Sequence, residues 1–195
     1  MKIISGAQTG VDRAALDVAL KHGIECGGWC PTGRLDEFGR IPDHYPVREL
    51  DRGSFAERTL QNVKDSDATV IICFGEPRGG TQFTIECCGR LDRPHNIIDA
   101  GKTSPEEAAR VIGNFMRQHT IDILNVAGPR QSEWPGGYDF AVAALNIFLN
   151  SIMSTRTSMS KNKNRITRSA ELSPGRDARR SRRVSRRRAN KSKTR

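Results

Sequence analysis

Apolar positions along the chain come in short runs, separated by polar stretches with helical periodicity. Lys2-Ile3-Ile4 predicts a strand that ends at Ser5-Gly6, and a helix follows over 12–20. In that helix Ala15, Leu16, Ala19 and Leu20 recur at helical spacing, and Gly23 supplies the stop. Residues 24–29 predict a weak strand. Residues 30–52 are rich in Gly, Pro, Asp and Arg and predict a loop too long to be a plain connector. Ser54 with Glu57 three residues on is a capping-box pattern, opening a helix to about Lys64. The β-branched run over 68–74 predicts a strand buried on both faces. A turn over 75–80, a helix over 81–91 and a strand over 96–98 come next. Ser104-Pro105-Glu106-Glu107 combines an N-cap, a proline at the first position and an acidic first turn, for a helix to about His119. A strand over 121–127, a Gly128-Pro129 turn and an amphipathic helix over 137–152 complete the pattern. Strands alternate with helices throughout, which predicts an α/β fold: a Rossmann-like three-layer sandwich with a mostly parallel sheet.

Charge divides the chain in two. The formal net charge is +10 over 195 residues, yet residues 1–150 carry 16 Lys and Arg against 20 Asp and Glu. The remaining 45 residues carry 16 against 2, so the basic character belongs to the tail. The expected organisation is a folded domain over 1–152 and a basic disordered tail over 153–195. The run from Arg179 to Arg188 cannot bury enough apolar surface to order itself. Such an arm binds nucleic acid non-specifically, if it has a partner at all; the plain alternative is an extension without function. Five cysteines, an odd number without zinc-ribbon spacing, argue against a disulfide framework and a structural metal. The opening MKIISGAQTG has no charged segment followed by an apolar one, and no apolar run reaches membrane-spanning length. A cytoplasmic setting with no membrane partner is the expectation.

In an open parallel sheet, ligands bind beyond the carboxyl ends of the strands. The turn after the first strand offers Gly6, Gln8, Thr9, Gly10 and Arg13: close backbone approach, side-chain donors and a cation at a helix start. It is neither GxGxxG nor a Walker loop. The turn after the buried strand offers Gly79, Gly80, Thr81 and Thr84, where Thr81 caps the helix or binds a phosphate oxygen. Arg130 lies just past a third strand, and Arg34 follows the weak strand. Trp29 is a base-stacking residue or simply core. Arg58 and Asn62 share a helix face at i, i+4. The sequence holds no GxSxG elbow, no HExxH and no supported Cys–His pair. Glu86 is the one candidate acid/base, against the plain reading of an exposed helix carboxylate.

The segments SGAQTGVDRAALD, GGWCPTGR, Arg58-Thr59 with Asn62-Val63, SDATVII, GGTQFT and LNVAGPRQSEWPGGY, in this order across residues 1–150, resemble the "putative molybdenum carrier" family. This is the circularly permuted YpsA-like branch of the LOG- and DprA-like Rossmann superfamily. The resemblance implies a homo-oligomer that binds an oxyanion or phosphorylated ligand, with molybdenum cofactor or molybdate as the bound species. It assigns the two glycine turns to ligand binding. Related LOG proteins are phosphoribohydrolases with a PGGxGTxxE motif, and residues 78–86 carry a glycine pair, a threonine and Glu86 at different spacing. Two functions follow as expectations: a binding and carrier protein, more than an enzyme, and alternatively a nucleotide-processing N-glycoside hydrolase. The tail has no counterpart in the family pattern.

Overall fold

A computed structural model describes residues 1–171, with side chains through 154. The arginine-rich run over 179–188 lies outside the described residues, and so does the expectation of disorder there. Met1–Ile152 form one compact unit.

Nine strands and five helices make up the described chain. In order they are β1 (Lys2–Ile4), α1 (Val11–Lys21), β2 (Glu25–Gly27), β3 (Trp29–Cys30), β4 (Leu35–Asp36), β5 (Gly39–Arg40), β6 (Arg48–Glu49) and α2 (Phe55–Lys64). Then follow β7 (Ala68–Cys73), α3 (Gly79–Arg90), β8 (His95–Asp99), α4 (Pro105–His119), β9 (Ile123–Ala127) and α5 (Gly137–Glu171). The main sheet is parallel throughout, in the order β2-β1-β9-β7-β8. Ile4 lies opposite Asn125, and Thr69 opposite Asn125 on the other side. All six residues of β7 are buried, as its unbroken apolar run requires.

Local signals set the helix ends. Ser54 Oγ accepts from Ala56 N at 3.2 Å and Glu57 Oε2 accepts from Ser54 N at 2.7 Å, closing the capping box of α2. Ser104 Oγ accepts from Glu107 N, and Thr120 in a left-handed conformation ends α4. Side chains on the strands alternate between faces. Ile3, Val70, Ile72, Leu124 and Val126 pack in the large core with α1, α4 and α5. On the other side Val63 of α2 packs with Cys87 and Cys88 of α3, and Phe83 covers them. The result is the α/β three-layer arrangement that the alternation predicts.

Three segments depart from the sequence reading. The strand expected over 24–29 breaks at Gly28, where φ is +126° and a Cβ would sit 2.1 Å from the Ser5 carbonyl oxygen. The chain turns there, so β2 joins the main sheet while β3 leaves it and pairs with β6. The loop over 30–52 contains β4, β5 and β6, and β4 and β5 form an antiparallel pair. α5 begins at Gly137 as expected and continues past Ile152 to Glu171.

Candidate functional site

A cavity of about 310 Å³ opens beyond the carboxyl ends of β1, β9 and β7, on the side of the sheet covered by α2 and α3. Its floor is Gly6 and Gln8 after β1, Asn125, Ala127 and Gly128 at the end of β9, and the start of α3. Phe55, Arg58, Thr59 and Asn62 of α2 form one wall, and Arg130 and Glu133 form part of the rim.

The first glycine turn is closed by the chain itself. Asp12 is 3% exposed, and its Oδ2 receives Arg58 Nη1 at 2.9 Å and the Gln8 amide at 3.4 Å. The Thr9 amide donates to Gln8 Oε1, and Val11 N donates to the Pro129 carbonyl at 3.4 Å. A side-chain carboxylate thus stands where an external anion was expected at the start of α1. Burial pushes the Asp12 carboxyl above its ordinary range, against the pull of the Arg58 guanidinium and of backbone N–H groups. Gly6 leaves room for this pair: a Cβ would fall 1.3 Å from Arg58 Nη1 and displace the guanidinium from Asp12.

The second turn is open. α3 has Arg78 as its N-cap, no side-chain cap and no acidic residue in its first turn. Thr81 does not cap the helix. It sits inside the first turn, 3% exposed, and its Oγ1 has no hydrogen-bond partner. Gly79 has φ +52°, a conformation that favours glycine, and a Cβ on Gly80 would meet nothing within 4 Å. Thr84 Oγ1 donates back to the Gly80 carbonyl at 3.0 Å. Arg58 Nε, buried in the same cavity, also lacks a partner. Arg130 Nε pairs with Glu133 Oε1 at 3.0 Å on the rim.

Of the residues singled out from sequence, Gly6, Gln8, Arg58, Asn62, Gly79, Gly80, Thr81, Thr84 and Arg130 line this cavity. The others lie elsewhere. Thr9 donates its hydroxyl to Glu37 and accepts from Gln131 N at 3.0 Å, tying two loops together. Gly10 packs on the Pro129 carbonyl oxygen. Arg13 donates to the Ala7 carbonyl and to Asp36 and lies over the Tyr45 ring at 4.6 Å. Arg34 donates to the carbonyls of Val47, Pro42 and Tyr45, so it holds the 30–52 segment in shape. Glu86 sits outside the cavity on α3, with Gln82 at 3.4 Å and Arg90 at 3.9 Å. Trp29 donates its indole N–H to Asp65 at 2.7 Å and does not line the cavity either. Asp12, Thr59, Asn125 and Glu133 line it without having been singled out, while Arg58 and Asn62 enter from the α2 face. An acidic residue in the first turn of a helix, two positions after Gly10, was the available signal for Asp12.

Among the described residues no group of three or more His, Cys, Asp or Glu is placed to hold a metal ion. No helix among them is long and apolar enough to cross a membrane.

Comparison with known proteins agrees with this fold. No curated protein matches the chain. A crystal structure titled "Putative molybdenum carrier protein", from Syntrophus aciditrophicus SB, is similar at 44% identity and a TM-score of 0.75; the match covers 76% of this chain and 94% of that one. The sequence pattern of the circularly permutated YpsA SLOG family matches residues 3–149, the whole span that builds the sheet and the cavity. The chain belongs to the circularly permutated YpsA SLOG family.

Proposed function

We propose that this protein binds a small oxyanion or phosphorylated ligand in the cavity at the start of α3. Molybdate, or the phosphate of molybdenum cofactor, is the cargo its relative's name suggests. One observation carries the reading: Thr81, which lines the cavity at an uncapped helix start, has a buried hydroxyl without a partner. A buried hydroxyl without a partner costs about 1–3 kcal/mol, and a ligand oxygen removes that cost. The amides of Gly79 and Gly80, the positive end of the α3 dipole and Arg58 supply the remaining attraction. The body of the protein is acidic, so the affinity is local to these groups. Carriage without chemistry fits the position of Glu86 outside the cavity, which leaves the hydrolase alternative without its acid/base.

Titration calorimetry with molybdate, inorganic phosphate and nucleoside monophosphates tests this. Thr81→Val keeps the shape and removes the hydroxyl. The variant is expected to be as stable as the parent or about 1 kcal/mol more stable, while oxyanion affinity falls by about fivefold to tenfold. No binding of any of these anions to the unaltered protein overturns the reading.

A further inference from the structure

A second cavity, of about 560 Å³, adjoins the first and shares Glu133 with it. Its lining continues from the first cavity along two backbone steps, Gly79 to Arg78 and Arg130 to Pro129. Two aromatic rings stand in it. Phe74 is 63% exposed, although it directly follows the fully buried β7. Trp134 lies with its ring centroid 6.0 Å from that of Phe74, the planes inclined by 38°. Trp134 is fixed from behind: Phe140 lies at 5.9 Å, and a Cβ on Gly137 would come within 2.7 Å of the indole. The Phe74 turn is fixed as well, since Asp99 Oδ1 accepts from the amides of Gly75 at 2.8 Å and Gly101 at 2.9 Å. Phe74 thus presents a largely exposed ring in this cavity, beside Trp134, which packs in part against the large core.

The polar groups of this cavity have a definite pattern. Glu133 uses Oε1 on Arg130, and its other oxygen has no partner among the described residues. Glu76 and Arg78 line the cavity, and neither side chain has a hydrogen bond or ion pair among the described residues. Carboxylates accept from ring N–H and amino groups, and a guanidinium donates to a ring carbonyl. Aromatic walls accept a flat ring by stacking.

We infer that the second cavity holds the planar heterocycle of the ligand whose anionic group sits at α3, and that the ring carries adjacent amino, ring N–H and carbonyl groups. The inference rests on the proposed anion site and specifies what is attached to the anion. Glu133 accepts from the amino and N–H edge, Arg78 donates to the carbonyl, and Trp134 and Phe74 cover the ring. Guanine and pterin share this edge; adenine does not.

Binding of ribose 5-phosphate, AMP, GMP and 6-hydroxymethylpterin monophosphate to the full chain tests it by calorimetry. GMP or the pterin phosphate is expected to bind at least about tenfold tighter than ribose 5-phosphate and AMP, and the better of the two names the source of the ring. Trp134→Ala is expected to bring that ligand down to the level of ribose 5-phosphate, whose own affinity is unchanged. Should Trp134→Ala fail to fold, Glu133→Ala serves, since its side chain is on the surface; it is expected to remove the preference over AMP. Equal affinity for all four ligands overturns the inference and leaves the anion site standing. Failure of all four to bind overturns the inference, and binding of molybdate or inorganic phosphate to the same protein then leaves the anion site standing.

Discussion

Arg58 and Asp12 show how one buried pair both builds and limits the site. Asp12 is buried at the floor, and folding raises its proton affinity despite the Arg58 guanidinium 2.9 Å away. Folding therefore disfavours its ionised form relative to water. Its contribution favours folding below the ordinary carboxylate range and weakens as pH rises through the raised value. Removing Arg58 takes away the cation that offsets this. Arg58→Gln is expected to cost about 3 kcal/mol near neutral pH, the usual price of leaving a buried charge alone. The loss shrinks in mild acid, where Asp12 takes up a proton. Urea melts of parent and variant at about pH 7 and about pH 5 measure the difference, and a loss independent of pH contradicts it. At this scale the sequence was legible only in part. Gly6 was visible as a small residue in a turn, but its reason, the guanidinium lying on it, comes from a residue 52 positions away. Arg13 and Arg34 looked like anion ligands because an arginine near a glycine turn carries the same local signal whether it faces a ligand or a carbonyl.

Elements were far more legible. The capping box of α2, the N-cap and proline of α4 and the buried run of β7 each act through neighbours in sequence, and each appears where its signal lies. Ser54→Ala is expected to lower stability by about 1 kcal/mol, and Ser54→Asp to retain most of it, as chemical denaturation would show. The break at Gly28 was not legible, because the Ser5 carbonyl that forbids a side chain there lies just past β1, far away in sequence. The small sheets over 30–52 were missed for a similar reason. Two-residue strands carry no periodicity, and the carbonyls gathered by Arg34 are spread over 42–47. The difference between the two glycine turns was also hidden. Both read as anion cradles, and only the packing of α2 shows that Asp12 fills the first.

For the whole molecule, the division of charge predicts separate behaviour. The compact unit Met1–Ile152 is expected to keep its ligand affinity when the chain is cut after Ile152, because every cavity residue lies before that point. The full chain is expected to retain RNA in a manner that falls steeply with salt, and the truncated one not to. Equal retention by both, measured by filter binding at two salt concentrations, removes the tail from the account. The sheet order has a consequence for how the protein is made. Among the described strands β9 is the last in sequence and the central one in the sheet, between β1 and β7. Without it the pairings of the sheet reduce to two separate pairs, β2-β1 and β7-β8, each with an unpaired edge. Completion of the five-stranded sheet therefore awaits synthesis of Ile123–Ala127, which pairs with strands far apart in sequence. A nascent chain stalled before Ile123 lacks the strand that joins the halves, so this architecture calls for protection of those edges during translation.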